Sequence, residues 1–296
     1  MNWTDLTIAI VGGDEREQEI ARLAAATGAF VRAYGFPWPE SGIAGVKQAA
    51  DARAALDGAD FALFPIPGLT SAGSLFATEP IVPDRDLLAV LKPGAHIILG
   101  TADDGLKAAA AAHGIVLHEY ETDTELMLLR MPAIVEGAIK IVIENTPVTI
   151  HDSEVAVVGY GNIGHLLTRT LVLLGARVHL FARNPVQRAD AHTIGARPHP
   201  IEALESAAPS LDILLSTVPA PVVGPAVLDA LPAHAFVADL SAPPGGVDLD
   251  HARKIGLRAV WARALGRRAP ITVGASQWKG IAERIERIER NTGEKQ

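Results

Sequence analysis

The chain of 296 residues contains no cysteine. That one absence excludes disulfides, thiol nucleophiles, thiolate zinc sites and iron–sulfur ligation together. No apolar run reaches the length of a membrane span. No basic stripe is present beyond a local arginine cluster near residue 267, and the formal net charge is -8, so nucleic acid is not expected as a partner. The N-terminus starts almost directly on a strand pattern, without a signal peptide, and a cytoplasmic location is expected. Gly-x-Ser-x-Gly, Walker A and His-Glu-x-x-His motifs are all missing. Ten histidines are present, yet none stands in a recognisable catalytic arrangement with a carboxylate. These absences favour chemistry carried by a cofactor that the protein orients.

What is present is a well-packed composition, 49% apolar and 20% charged, in a chain long enough for two ordinary domains. Its organising stretch runs from Val155 to Arg183. Val155–Val158 is a short β-branched run, and Gly159-Tyr160-Gly161-Asn162-Ile163-Gly164 is a Gly-x-Gly-x-x-Gly turn. Leu166–Leu174 repeats apolar residues at helical spacing, and a second strand follows over Val178–Phe181. Strand, glycine turn, helix and strand in this order are the dinucleotide-binding fingerprint. Gly159 permits the tight turn, Gly161 admits a pyrophosphate close to the backbone, and Gly164 lets helix and strand pack. The helix N-terminus offers free N–H groups and a positive dipole end to the phosphates. A plain close-packed turn would use the same glycines but would not require the second strand in register.

NAD-binding versions of this motif carry Asp or Glu at the end of the second strand, about 20 residues on, for the ribose 2′-hydroxyl. Here Val155–Ala189 contains no acidic residue, and the strand ends in Arg183-Asn184 with Arg188 following. That pattern suits a 2′-phosphate and predicts NADP; the alternative is that Arg183 is a solvated surface residue. Val218 and Pro219, after the strand Leu211–Ser216, complete the predicted cofactor contacts. Ser216, Thr217 and Ser241 place hydroxyls at the sheet edge where a nicotinamide would lie.

The N-terminal half opens with its own βαβ unit over Leu6–Tyr34 and continues as alternating strands and helices, with Val46–Leu56 read as a helix. This alternation predicts two Rossmann-like α/β domains with parallel sheets. The expected division is 1–132 with the helix 276–296 returning to it, and 133–275 as the NADP-binding domain. A helix over 133–145, begun by Pro132, connects them, with Glu136 and Gly137 facing the cleft.

Three loops are candidate substrate contacts. Gly13, Asp14 and Arg16 lie in a glycine turn at a helix start, suited to a carboxylate or phosphate; an ordinary turn with Asp14 as N-cap and Arg16 in water is the alternative. Pro67 and Gly68 follow a strand and lead to two hydroxyls, Thr70 and Ser71. Arg267 and Arg268 form a pair whose forks suit a dicarboxylate, or else a solvated surface pair. The acidic run Glu119, Glu121, Asp123 and Glu125 reads as a solvated helix start, and no ligand set at metal spacing is visible, so no metal is expected.

Three segments resemble one family: LTIAIVGGDEREQEIARL at the start, GYGNIGHLLTRTLVLLGARVHLFARN in the middle and DLSAPPGGVDLDHARKIGLRAVWA near the end. They resemble the A subunit of dipicolinate synthase over nearly the whole length, and the Gly12–Arg16 pattern is the most diagnostic part. The resemblance implies NADP-dependent dehydrogenation of dihydrodipicolinate to dipicolinate in the sporulating mother cell, on a branch of the lysine/diaminopimelate pathway, with a second, flavodoxin-like subunit. It implies that Ser216, Thr217 and Ser241 lie near the nicotinamide ring and that Arg16, Arg267 or Arg268 holds carboxylates. The chain departs from the family pattern at Pro243, where an Arg often stands, at Ala264–Thr272, and around Pro132. A homo-oligomer is expected. Two other readings are another NAD(P)-dependent oxidoreductase of small 2-oxo, 2-hydroxy or imino acids, and a non-catalytic nucleotide-binding subunit.

Overall fold

The structure, a computed structural model, describes residues 2–293. The chain divides into two compact units, Met1–Arg130 with Ala269–Gln296, and Met131–Arg268. The first contains β1 (Thr7–Val11), α1 (Glu15–Ala26), β2 (Phe30–Tyr34), β3 (Val46–Gln48), α2 (Ala52–Leu56), β4 (Phe61–Leu63), α3 (Arg85–Leu88), β5 (His96–Leu99), α4 (Asp104–Ala112) and β6 (Val116–Glu119). The six strands form one sheet in the order β3-β2-β1-β4-β5-β6. Every neighbouring pair is parallel. The order reverses between β1 and β4, which is where such sheets open a crevice at their C-terminal edge.

Helix α5 (Thr124–Asn145) carries the boundary between the units and holds Pro132 inside it. The expected helix start at Pro132 is thereby corrected. Asp123 accepts hydrogen bonds from Glu125 N and Leu126 N, so the helix begins a full eight residues earlier than its proline. A proline removes only one N–H from the ladder, and a long helix tolerates that loss at a cost.

The second unit contains β7 (Glu154–Val158), α6 (Asn162–Leu173), β8 (Arg177–Phe181), α7 (Pro185–Thr193), β9 (Arg197–His199), α8 (Leu204–Ala207), β10 (Ile213–Ser216), α9 (Pro225–Ala230), β11 (Phe236–Asp239), α10 (Leu249–Lys254) and β12 (Arg258–Trp261). Its sheet has the order β12-β11-β10-β7-β8-β9 and is also parallel throughout. Alternate residues of one strand serve opposite faces. Val155 and Val157 join a core with Leu180, Ile213 and Phe236. Ala156 and Val158 join another with Phe181, Leu214 and Val237. A sheet covered on both faces needs continuous apolar strands, and this is why VAVV and ILLS read as runs rather than as alternations.

The last helix, α11 (Pro270–Gly293), belongs to the first unit and packs along α1. Val273, Gln277, Ile281 and Ile285 are buried at helical spacing. A Cβ at Gly274 would lie 2.6 Å from the Arg16 carbonyl oxygen, so glycine there permits the close approach of the two helices. The helix starts at Pro270, not near Ser276, because proline is well suited to a first helical turn where no N–H partner is needed. The residues before it, Leu265–Arg268, form a short 3₁₀ turn. Val46–Leu56, expected as one helix, is instead β3 followed by α2. Val46 pairs with Val31, and the Asp51 side chain accepts from Ala54 N to start the helix after it. Among the described residues no helix is long and apolar enough to cross a membrane.

Candidate functional site

The glycine turn of the second unit separates the chain's own needs from a ligand's. Gly159 has φ +96°, and a Cβ there would lie 2.6 Å from Thr217 Oγ1. A Cβ at Gly164 would overlap the Gly159 carbonyl oxygen. Both glycines are therefore demanded by the fold itself. Gly161 is different. Its backbone is ordinary (φ −75°), and a Cβ there would meet no atom within 4 Å. Gly161 is also the N-cap of α6 and contributes no side-chain cap, so the first N–H groups of the helix have no side-chain acceptor. An uncapped helix N-terminus facing open space is a fitting cradle for a pyrophosphate.

Asn162 is exposed and Ile163 half-buried at this helix start. Tyr160 is buried. Its hydroxyl donates to Asp190 Oδ2 at 2.8 Å, and its carbonyl accepts from Gln187 Nε2 at 3.2 Å. Burial, then the bond to Asp190, raises the phenol above its ordinary range. Tyr160 thus ties the turn to α7. Asp190 lies one residue beyond the acid-free segment, and no motif marks it in the sequence.

At the end of β8, Arg183 is exposed, and its guanidinium makes no hydrogen bond or ion pair among the described residues. Asn184 caps α7 by accepting from Val186 N at 2.8 Å. Arg188 donates to the Ala182 and Arg183 carbonyls at 2.8 and 2.7 Å, so it braces the turn that presents Arg183. Of the two arginines expected at the cofactor, Arg188 spends Nη1 on both carbonyls, while Arg183 makes no such bond among the described residues.

The three hydroxyls at the sheet edge are all engaged within the protein. Ser216 is fully buried, and its Oγ lies 3.5 Å from Val218 N. Thr217 donates its hydroxyl to the Val158 carbonyl at 3.0 Å. Ser241 donates its hydroxyl to Asp239 at 2.6 Å. Thr217 and Ser241 thus spend their donor capacity on shaping the edge, whereas the Ser216 hydroxyl accepts from Val218 N. Val218 is half-buried beside them and Pro219 is exposed.

Asp239 organises this edge, and sequence reasoning missed it. Almost completely buried, its carboxylate accepts from Ser241 N, Ser241 Oγ, Gly246 N and Val247 N. The Gly246 carbonyl in turn accepts from Val222 N and Val223 N at 3.0 and 2.9 Å. The 241–247 segment is therefore clamped onto the 216–223 segment. Trp261 Nε1 also donates to the Ser241 carbonyl, at 3.0 Å. An aspartate closing a strand just before a Pro-Pro-Gly-Gly turn was the available signal.

Arg268 donates to Glu136 at 2.5 Å, and Arg267 is not without a partner. Gly137 gives room to Leu265, whose carbonyl oxygen would lie 2.9 Å from a Cβ there.

In the first unit, Asp14 caps α1 in a complete capping box with Glu17. Arg16 is not in water, as an ordinary capped turn would leave it. It is buried, and its Nε and Nη2 donate to the two Asp14 oxygens at 2.8 Å each. Gly13 has φ +117°, and a Cβ there would run into the Glu17 side chain. Glu17 accepts from Asp14 N at 2.7 Å and from Ile66 N at 3.0 Å, joining the glycine turn to the loop that follows β4. Burial pushes its carboxyl up to about 7, although Arg16 beside it acts the other way. The spacing Asp14-x-x-Glu17 carried that pairing in the sequence.

Gly68 has φ +73° and lies against Thr101, while Pro67 is exposed. Thr70 and Ser74 hydroxyls pair at 2.9 Å within the same loop. The acidic run is shared out as follows: Glu119 accepts from Ala102 N, Glu121 pairs with Arg130, Asp123 with Arg284, and Glu125 with Lys279. Among the described residues no cluster suited to a metal ion is found. The buried hydroxyl of Tyr120 and Nε of Arg130 lack a hydrogen-bond partner there.

Comparison with known proteins connects these features to one family. Residues 7–121 match the family model described as the N-terminal domain of the dipicolinate synthase A subunit. The dipicolinate synthase A subunit of Bacillus subtilis (strain 168) is 30% identical over 295 residues, covering 98% of this chain and 99% of the relative. The crystal structure of the Bacillus halodurans dipicolinate synthase A subunit superposes with a TM-score of 0.85 at 28% identity, over 96% of this chain and 98% of that one. The transhydrogenase of Sinorhizobium meliloti superposes with a TM-score of 0.69 at 16% identity, over 94% of each chain, and shares the fold.

Proposed function

The chain belongs to the family of the dipicolinate synthase A subunit, and from that premise we propose that it is an NADP-dependent dehydrogenase converting dihydrodipicolinate to dipicolinate. The observation that carries the dinucleotide part is Gly161, whose missing side chain no protein atom requires. Glycine there keeps the start of α6 open, and the N–H groups of that helix bind the pyrophosphate. Arg183 supports NADP over NAD. It stands exposed at the end of β8 with no carboxylate beside it in sequence through Ala189. A guanidinium there forms charge-assisted bonds to a 2′-phosphate.

The oxidation removes one hydride and one proton from the substrate ring, and the dinucleotide, when bound, supplies the hydride acceptor while the proton passes to solvent. The protein's part is orientation. Asp239 and Trp261 hold the 241–247 segment rigid, and Ser216, Thr217 and Ser241 set the shape of the edge beside it. Arg16, with Gly13, Asp14, Pro67 and Gly68, and Arg267 and Arg268 are proposed substrate-side contacts. That the relatives are named as an A subunit supports a partner subunit, which is proposed to be flavodoxin-like.

A second reading, a nucleotide-binding subunit without chemistry of its own, is favoured by one observation. The Thr217 and Ser241 hydroxyls both donate to acceptors of the protein itself, Val158 and Asp239. The deciding experiment supplies dihydrodipicolinate generated in situ and follows reduced nicotinamide by absorbance, with and without the flavodoxin-like partner. NADPH formation supports the first reading. Dinucleotide binding with no turnover under any of these conditions supports the second.

A further inference from the structure

Three arginines follow β12, and the structure treats them differently. Arg268 is paired with Glu136, and Arg267 has a partner. Arg263 is exposed and has no anionic partner among the described residues. It is nevertheless not loose. Its guanidinium carbon lies 5.3 Å from the centroid of the Trp261 ring, within the range of a cation–π contact.

The plate beneath that guanidinium is itself fixed. Trp261 donates its indole N–H to the Ser241 carbonyl, and its ring lies 3.6 Å from where a Cβ on Gly245 would be. Ser241 and Gly246 are held by Asp239. A chain of contacts therefore runs from a buried carboxylate through a clamped loop and an indole to one guanidinium. The residue after it, Ala264, has φ +55°, a left-handed conformation that costs a non-glycine residue energy and that accumulates at ligand sites.

Resting on the dehydrogenase reading above, we infer that Arg263 binds a carboxylate of the substrate. Strand order gives the direction. Arg183 follows β8 on one side of β7, and Arg263 follows β12 on the other side, beyond β10 and β11. A dinucleotide lying across the glycine turn puts its 2′-phosphate over β8 and its nicotinamide towards β10. Arg263 then stands two strand spacings past β10, ~10 Å, on the nicotinamide's far side. That is the side on which a substrate lies and the 2′-phosphate does not. A planar fork held over an indole by its central carbon, with no anionic partner, keeps N–H groups for bidentate bonding to a carboxylate.

The test is calorimetric binding of dipicolinate and of picolinate, which lacks one carboxylate, in metal-free buffer. The full-length protein is compared with Arg263→Gln, Arg263→Lys and Trp261→Leu, and NADP binding is measured alongside. The wild-type chain is expected to prefer dipicolinate by about tenfold or more. Arg263→Gln abolishes that preference and leaves NADP affinity unchanged. Trp261→Leu weakens the preference while keeping the charge. Arg263→Lys, which keeps stem and charge and serves if the glutamine variant does not fold, falls between them. A wild-type preference retained in full by Arg263→Gln or Arg263→Lys overturns the assignment of Arg263 and leaves the dehydrogenase reading standing. A wild-type chain that binds neither acid and shows no turnover overturns both.

Discussion

Asp239 holds Ser241 by two bonds, accepting from its backbone N–H at 2.9 Å and from its hydroxyl at 2.6 Å. The other carboxylate oxygen accepts from Gly246 N at 2.6 Å and Val247 N at 3.1 Å. Replacing this side chain by alanine leaves several buried donors without an acceptor. Each such group costs about 1–3 kcal/mol, so Asp239→Ala is expected to destabilise the protein by at least ~3 kcal/mol. Urea midpoints measure this. A loss under ~1 kcal/mol would show that water replaces the carboxylate.

The glycines of the turn make opposite predictions. Gly164→Ala forces a Cβ onto the Gly159 carbonyl and is expected to cost more than about 2 kcal/mol of stability. Gly161→Ala meets open space at an ordinary φ, so it should change stability by under ~1 kcal/mol. It is expected to weaken NADPH binding by about tenfold or more, because the methyl group stands where the pyrophosphate approaches. Equal stability losses in the two variants, or unchanged NADPH affinity in Gly161→Ala, would remove the case for the cradle.

Arg183→Ala tests cofactor choice. The dissociation constant for NADPH is expected to rise by roughly tenfold or more while that for NADH barely moves, since only NADPH carries the 2′-phosphate. The comparison needs low salt, where an exposed charge pair is least screened. Parallel shifts for both cofactors would return the site to a generic dinucleotide pocket.

Glu17 should leave a signature in the pH dependence of stability. Its carboxyl stands at about 7 in the folded chain against an ordinary 4.5, so the folded state holds the proton more tightly than the unfolded one. The stability this contributes is complete below about 4.5 and is lost as the pH rises through about 7. The difference is on the order of 3 kcal/mol. Glu17→Gln does not titrate. Relative to this variant, the wild-type chain is expected to lose stability between pH 5 and 8, measured by chemical denaturation at both values. Parallel curves would mean that Glu17 is ionised throughout.

The dinucleotide turn was legible because its determinants are local. Gly159, Gly161 and Gly164 sit at fixed offsets between an apolar strand and a periodic helix, and backbone geometry alone gives each a purpose. The two parallel sheets followed from the same kind of evidence, since apolar runs alternating with helical periods leave few other architectures. Boundaries were less legible wherever a competing local preference prevailed. Pro132 reads as a helix start, yet Asp123 caps the helix earlier and the proline rides inside it.

What the order of residues could not decide is where side chains spend their hydrogen bonds. Ser216, Thr217 and Ser241 look like reactive hydroxyls in one dimension. In three dimensions their partners come from Val218, Val158 and Asp239. The three arginines after β12 are equivalent by composition, and only folding assigns one to Glu136 and sets another over the Trp261 ring. The backbone plan and the glycine cradle were already set by residue order, because they depend on φ, volume and period. Which charged and hydroxyl groups remain available to a ligand was settled only by folding, because a polar side chain is available only when no neighbour brought in by the fold already satisfies it.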